Sequence, residues 1–193
     1  MKEYKHSPWG PVQYQTAITD DITWVGTAGH GGCKVSPKLN KTIPDYLRNE
    51  DGWYEEDCDW SKVFVALEAH ILLANMDACS AKIINAGDHK TTLLAYYPDA
   101  FEQFYGVPVE PGQSYTRDKQ LFAKKHANDY IAVSASTDKN DPNMVIVTAC
   151  IGGRNENGQY NAPVWEFHVT SEEYKTRSKH GFVIDPKRHP ILV

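Results

Sequence analysis

A chain of 193 residues that is 41% hydrophobic and 23% charged, with a formal net charge of −5, carries enough apolar material for one sizeable core and lies far from disordered compositions. One domain over residues 1–193 is expected. The charge is not basic enough to neutralise a nucleic-acid backbone, nor acidic enough along its length to imitate one, so nucleic acid is not an expected partner. No apolar run approaches the ~18 residues of a membrane-spanning helix. Residues 1–6 are polar and lack an apolar leader core, so no membrane association is expected and the default location is cytoplasmic. Four widely spaced cysteines, Cys33, Cys58, Cys79 and Cys150, form no C-x-x-C pair and read as free thiols in a reducing compartment.

In chain order, Ser7-Pro8-Trp9-Gly10 is a turn signal and residues 12–18 alternate as a strand. Asp20-Asp21 then turns the chain into a second strand over 22–28, rich in β-branched and aromatic residues. Gly29-His30-Gly31-Gly32 interrupts it and 33–35 returns, which makes a hairpin. Ser36 before Pro37 is a helix start, and 44–48 suggests another short helical turn. Asp59 is placed to cap the next helix, in which Trp60, Phe64, Leu67 and Ile71 share one face. Residues 90–96 and 98–105 read as short helices parted by Pro98, and 114–126 as a helix capped by Ser114. The period then changes to strand-like runs at 130–136, 144–151 and 164–169. A capping box, Thr170-x-x-Glu173, opens a short helix, and 182–184 offers a last strand. Strands and helices are grouped rather than alternating, so the expected class is α+β, a mostly antiparallel sheet with several short helices.

Two segments could carry chemistry. Thr27, Gly29, His30, Gly31 and Gly32 form a glycine-rich turn around one imidazole; such a turn can present backbone N–H groups to an anion, and its histidine can exchange a proton near neutrality. A tight hairpin demands the same glycines, and no phosphate-loop or dinucleotide spacing is present. The second segment runs from Gly52 to Trp60 and mixes Trp53, Tyr54 and Trp60 with Glu55, Glu56, Asp57 and Asp59. Acids before a helix are favoured by its dipole, which leaves Glu55 and Glu56 less explained. A carboxylate beside aromatic rings can bind a ligand or act as acid or base. His30, Cys33, His70 and His89 match no zinc spacing and no H-E-x-x-H pattern, so neither metal nor cofactor is expected. The basic stretch Lys124-Lys125-His126 and the loop 152–158 are adequately read as a helix end and an exposed turn.

Taken together, Ser7-Pro8-Trp9-Gly10, Gly29-His30-Gly31-Gly32 with Ser36-Pro37, the run from Gly52 to Trp60, Lys125-His126-Ala127-Asn128-Asp129 and Gly181-Phe182-Val183-Ile184-Asp185-Pro186 resemble a family of uncharacterised domains found in bacteriophages, plasmids and bacterial mobile elements. That resemblance implies an accessory protein, in many cases one that blunts host defence, working in the host cytoplasm; it transfers no catalytic residue. The leading expectation is a counter-defence factor that binds a host protein or sequesters a nucleotide-like ligand through Thr27, Gly29, His30, Gly31, Gly32, Trp53, Tyr54, Glu55, Glu56 and Trp60. The alternative is a hydrolase of a phosphorylated or acyl compound, with His30 as acid or base and Glu55 or Glu56 beside it. The sequence does not decide whether the chain is an enzyme, and it is compatible with oligomerisation. Both readings require His30 and Glu55 or Glu56 to converge.

Overall fold

The computed structural model describes residues 3–74, 78–155 and 157–192. The chain divides into two units, Met1–Thr116 and Arg117–Val193. In the first unit, β1 (His6–Ser7) and β2 (Gly10–Pro11) form a tight hairpin around Pro8 and Trp9, closed by Ser7 Oγ donating to the Gly10 carbonyl at 3.1 Å. Next come β3 (Tyr14–Ala17), β4 (Ile22–Gly26), β5 (Gly31–Val35), α1 (Pro37–Asn40) and β6 (Trp53–Glu55). The strands pair antiparallel in the order β3-β4-β5-β6. Ile22 and Val25 of β4, with Cys33 and Val35 of β5, are fully buried. Ser36 starts α1 as its sequence suggests, its Oγ accepting the Leu39 N–H at 3.3 Å.

Helices α2 (Trp60–Ala66), α3 (Glu68–Ala74), α4 (Ala78–Ala86), α5 (Asp88–Tyr96) and α6 (Pro98–Tyr105) complete this unit. Phe64, Leu67 and Ile71 are buried together with Ile22, Val35, Tyr54 and Leu93 in one cluster, so the face read from their spacing is the core face. The helix itself breaks at Leu67, whose backbone leaves the helical region (φ −117°). Pro98 separates α5 from α6, and α6 stops at Gly106 with φ +69°, a left-handed stop that glycine adopts without strain.

Three local readings change. Residues 44–48 form hydrogen-bonded turns rather than helix. Trp53–Glu55, read only as a segment before a helix, is a strand. Asp59 precedes α2 with helical backbone and makes no side-chain capping bond. Helix α4 falls on an alanine- and serine-rich stretch for which no element was expected.

The second unit holds α7 (Tyr115–Lys125), which starts at the division, then β7 (Tyr130–Thr137), β8 (Met144–Ile151), β9 (Trp165–Thr170), α8 (Ser171–Lys175) and β10 (Val183–Ile184). Its sheet is antiparallel in the order β10-β7-β8-β9, with a bulge between Ala132 and Ser134. Alternate residues of β8 and of the edge strand β9 point inward, so Val147, Ala149, Phe167 and Val169 form its core. Thr170 caps α8, its Oγ1 accepting the Glu173 N–H at 3.2 Å, which is the Thr170 half of the capping box; the Glu173 carboxylate pairs with Arg188 and His189. The fold class is therefore α+β with antiparallel sheets. Among the described residues no helix is long and apolar enough to cross a membrane. The expectation of one folding domain across both units predicts a single calorimetric melting transition; two resolved transitions would refute it.

Candidate functional site

The connection from β4 to β5 is a short turn closed by the pair Gly26 and Gly31. Thr27 staples it twice: its Oγ1 donates to the His30 carbonyl at 2.8 Å and accepts the His30 N–H at 3.2 Å. Ala28, Gly29 and His30 are exposed, and the His30 side chain keeps 59% of its surface in solvent. Gly31 and Gly32 are not part of the turn. They are buried residues of β5, where the missing side chain makes room: the position of a Gly31 β-carbon lies 2.5 Å from Glu56 Oε2, and that of Gly32 lies 2.5 Å from the Trp9 ring.

Register brings the acids to the same end. Glu55 of β6 pairs with Gly32 of β5, and the Glu56 N–H donates to the Gly31 carbonyl at 3.1 Å. His30 Nδ1 consequently lies 3.9 Å from Glu55 Oε1 and 3.8 Å from Glu56 Oε1. Both gaps are too long for a hydrogen bond. Glu55 is held by its other oxygen, which accepts the Asp57 N–H at 2.6 Å. Its Oε1 is buried and has no hydrogen-bond partner.

Beside this cluster lies an open pocket of about 420 Å³, walled by Trp9 and Trp53 and lined also by Glu50, Asp51, Glu55 and Asp59. Trp53 is fixed edge-on by Trp9 (5.7 Å) and Tyr4 (5.5 Å), and Lys34 Nζ stands 4.8 Å from its ring centre. Asp59 accepts from Lys62 Nζ at 2.7 Å, from Asn49 Nδ2 at 3.0 Å and from the Tyr97 hydroxyl. Burial acts to raise the Asp59 pKa, but these hydrogen bonds outweigh it and hold the carboxyl below its ordinary range. The Tyr97 phenol is pushed up by burial and by its bonds to Asp59 and Cys58. The Lys62 ammonium stands 4.1 Å from the Tyr97 ring centre.

Of the residues expected at a site, His30, Glu55 and Glu56 meet, with Thr27 and Gly29 shaping the turn and Trp53 walling the adjoining pocket. Tyr54 and Trp60 do not join them. Tyr54 is 0% exposed; its hydroxyl donates to Asn40 Oδ1 at 2.7 Å and accepts the Asn49 N–H at 3.1 Å, and burial lifts its phenol to about 12. Trp60 packs edge-on against Phe64 at 5.1 Å and lines a separate apolar pocket with Trp24 and Ile83. Gly31 and Gly32 contribute space rather than contacts. Sequence reasoning missed Trp9 as a wall and the group Asn49, Lys62 and Tyr97. The turn signal around Trp9 was the sole local hint, since the others meet through tertiary packing. The four cysteines are free thiols, and burial raises the Cys33 pKa.

The site thus belongs to an α+β domain that sets an imidazole and two carboxylates at a sheet end, next to an acidic, tryptophan-walled pocket. The profile of a domain of unknown function, DUF7007, matches residues 2–127, and the chain belongs to that family. The matched span contains every residue of the cluster and the pocket and ends before Gly181. No curated protein and no solved structure matches the chain.

Proposed function

We propose that this chain is a binding protein whose occupant is a basic segment of a partner protein, received in the pocket between Trp9 and Trp53. In the phage or plasmid setting that its sequence resemblance implies, the partner is a host protein and the outcome is counter-defence in the host cytoplasm. The observation that carries this reading is the composition of the pocket: the acids Glu50, Asp51, Glu55 and Asp59 in its lining beside indole walls. A Lys or Arg side chain gains charge complementarity and a cation–π face there, and Lys34 already sets an ammonium over Trp53. A nucleotide-like ligand is less well supported, because its phosphates meet the same carboxylates as like charges.

Titrating the protein with a short lysine- and arginine-rich peptide is expected to change tryptophan fluorescence. The response should weaken with added salt and fall about tenfold in affinity for Trp53→Ala. No response, or one that Trp53→Ala leaves intact, overturns the proposal, and a response to ATP but not to peptide moves it to the nucleotide reading. The hydrolase reading keeps one supporting observation, an exposed imidazole facing two carboxylates. It predicts release of p-nitrophenol from a phosphate or acetate ester that His30→Ala reduces by about 100-fold or more while peptide binding persists.

A further inference from the structure

We infer that His30, Glu55 and Glu56 form a binding site for one divalent transition-metal ion, Zn²⁺ or Mn²⁺. The inference goes beyond peptide binding and does not depend on it. One ligand atom from each residue lies within 4.8 Å of the other two; Glu55 ends β6, Glu56 follows it, and the β5–β6 pairing sets both beside His30 in the turn that precedes β5. Ligand atoms about 2.1 Å from a tetrahedral ion sit roughly 3.4 Å apart. The His30 gaps of 3.8 and 3.9 Å exceed that spacing by only about 0.5 Å, a difference that reorientation of the exposed His30 ring can take up.

Two further observations point to a ligand. Glu55 Oε2 is tied to the Asp57 N–H, which fixes the carboxylate and presents Oε1 toward His30. That oxygen is buried and makes no hydrogen bond, an arrangement native proteins avoid unless a water or an ion answers it. The second is Gly31: Glu56 Oε2 lies 2.5 Å from the position its β-carbon would take, so the absence of a side chain leaves the room that lets the Glu56 carboxylate lie against the strand, its Oε1 3.8 Å from His30 Nδ1.

The donor set selects the ion. Two carboxylates and a neutral imidazole carry a charge of −2, which a divalent cation balances. One nitrogen beside two oxygens suits Zn²⁺ or Mn²⁺ better than the all-oxygen shells of Ca²⁺ and Mg²⁺, and it lacks the thiolates that attract Cu⁺. Cys33 is near in sequence but fully buried and supplies no ligand. With His30 mostly in solvent, the remaining coordination positions face outward, where water or a ligand oxygen can enter.

Calorimetric titration of the full chain with Zn²⁺, and separately Mn²⁺, tests this. One equivalent is expected to bind, and His30→Ala, Glu55→Gln and Glu56→Gln should each weaken binding about 10–100-fold with unchanged metal-free melting temperature. Asp129→Asn, at the separate His126 pair, should bind as wild type. Absence of saturable binding, or binding that His30→Ala leaves unaltered, overturns the assignment. If a variant fails to fold, electron spin-echo spectroscopy of Mn²⁺ bound to the wild-type protein decides: modulation from one imidazole nitrogen supports the site, and its absence refutes it. Running the peptide titration in EDTA keeps the two proposals separable, because a chelator removes the ion and leaves the acidic pocket.

Discussion

Gly32→Ala is expected to lower the stability of the first unit by about 3 kcal/mol, more than most single-methyl changes. Gly32 is buried at the centre of the β5 pairings, opposite Val25 on one side and Glu55 on the other. A β-carbon at this position would overlap the Tyr54 carbonyl oxygen and approach the Trp9 ring to 2.5 Å. Neither neighbour can yield cheaply. The carbonyl belongs to the backbone of β6, so its retreat pulls β6 from β5 and carries Glu55 away from His30. The indole is packed against Trp53, so its retreat opens the pocket wall. Urea denaturation followed by tryptophan fluorescence measures the loss. Gly29→Ala provides the contrast, since nothing lies within 4 Å of its β-carbon position and its effect should stay within about 0.5 kcal/mol. If Gly32→Ala costs less than about 1 kcal/mol, the close approach of Trp9 and β6 to this strand is not what holds the site together.

Features that a few adjacent residues encode were legible without coordinates. Ser36-Pro37, Thr170-x-x-Glu173, Pro98 and Gly106 act within one helical turn, and each stands in the structure where its local chemistry puts it. The shared face of Phe64, Leu67 and Ile71 was legible for the same reason, although the break at Leu67 left no signal in the spacing. Residues 53–55 show the opposite case. A three-residue strand is too short for alternation to register, and its acids and aromatics resemble a loop before a helix. Once β5 pairs with it, the period of two decides each side chain's fate: Trp53 and Glu55 turn outward and Tyr54 turns into the core. Reading the segment as one contact face therefore groups Trp53 and Glu55, which face outward, with Tyr54, which faces the core. Trp60 stands apart from them for a related reason, because the first turn of α2 carries it toward Phe64. The meeting of His30 with Glu55 and Glu56, 25 and 26 residues further along the chain, follows from the pairing of β5 with β6, which composition cannot specify.

Asp59 failed as a cap because tertiary partners compete for its carboxylate, and the strength of that competition gives the second large effect. Asp59→Asn keeps the shape but removes the charge that faces Lys62, and it replaces an acceptor-only carboxylate by an amide whose NH₂ group is itself a donor facing donors on Lys62, Asn49 and Tyr97. Breaking a fully buried pair costs about 3–5 kcal/mol. Here the side chains of Lys62 and Asp59 keep 14% and 22% of their surface in solvent, so screening reduces the expected loss to about 2–3 kcal/mol at neutral pH. The pH dependence has a definite sign. The folded carboxyl titrates below the ordinary value of 3.8, so its contribution is fully present above that value and is lost as the pH falls through the lower, folded pKa. The Glu68 carboxyl, held low chiefly by His89, adds acid sensitivity to wild type and variant alike and cancels from their difference. The stability gap between wild type and Asp59→Asn, measured by urea denaturation, should thus stay constant from pH 7 down to about 5 and narrow below about 4. A gap of the same size at every pH would mean that the misplaced amide NH₂, and not the lost charge, accounts for the destabilisation.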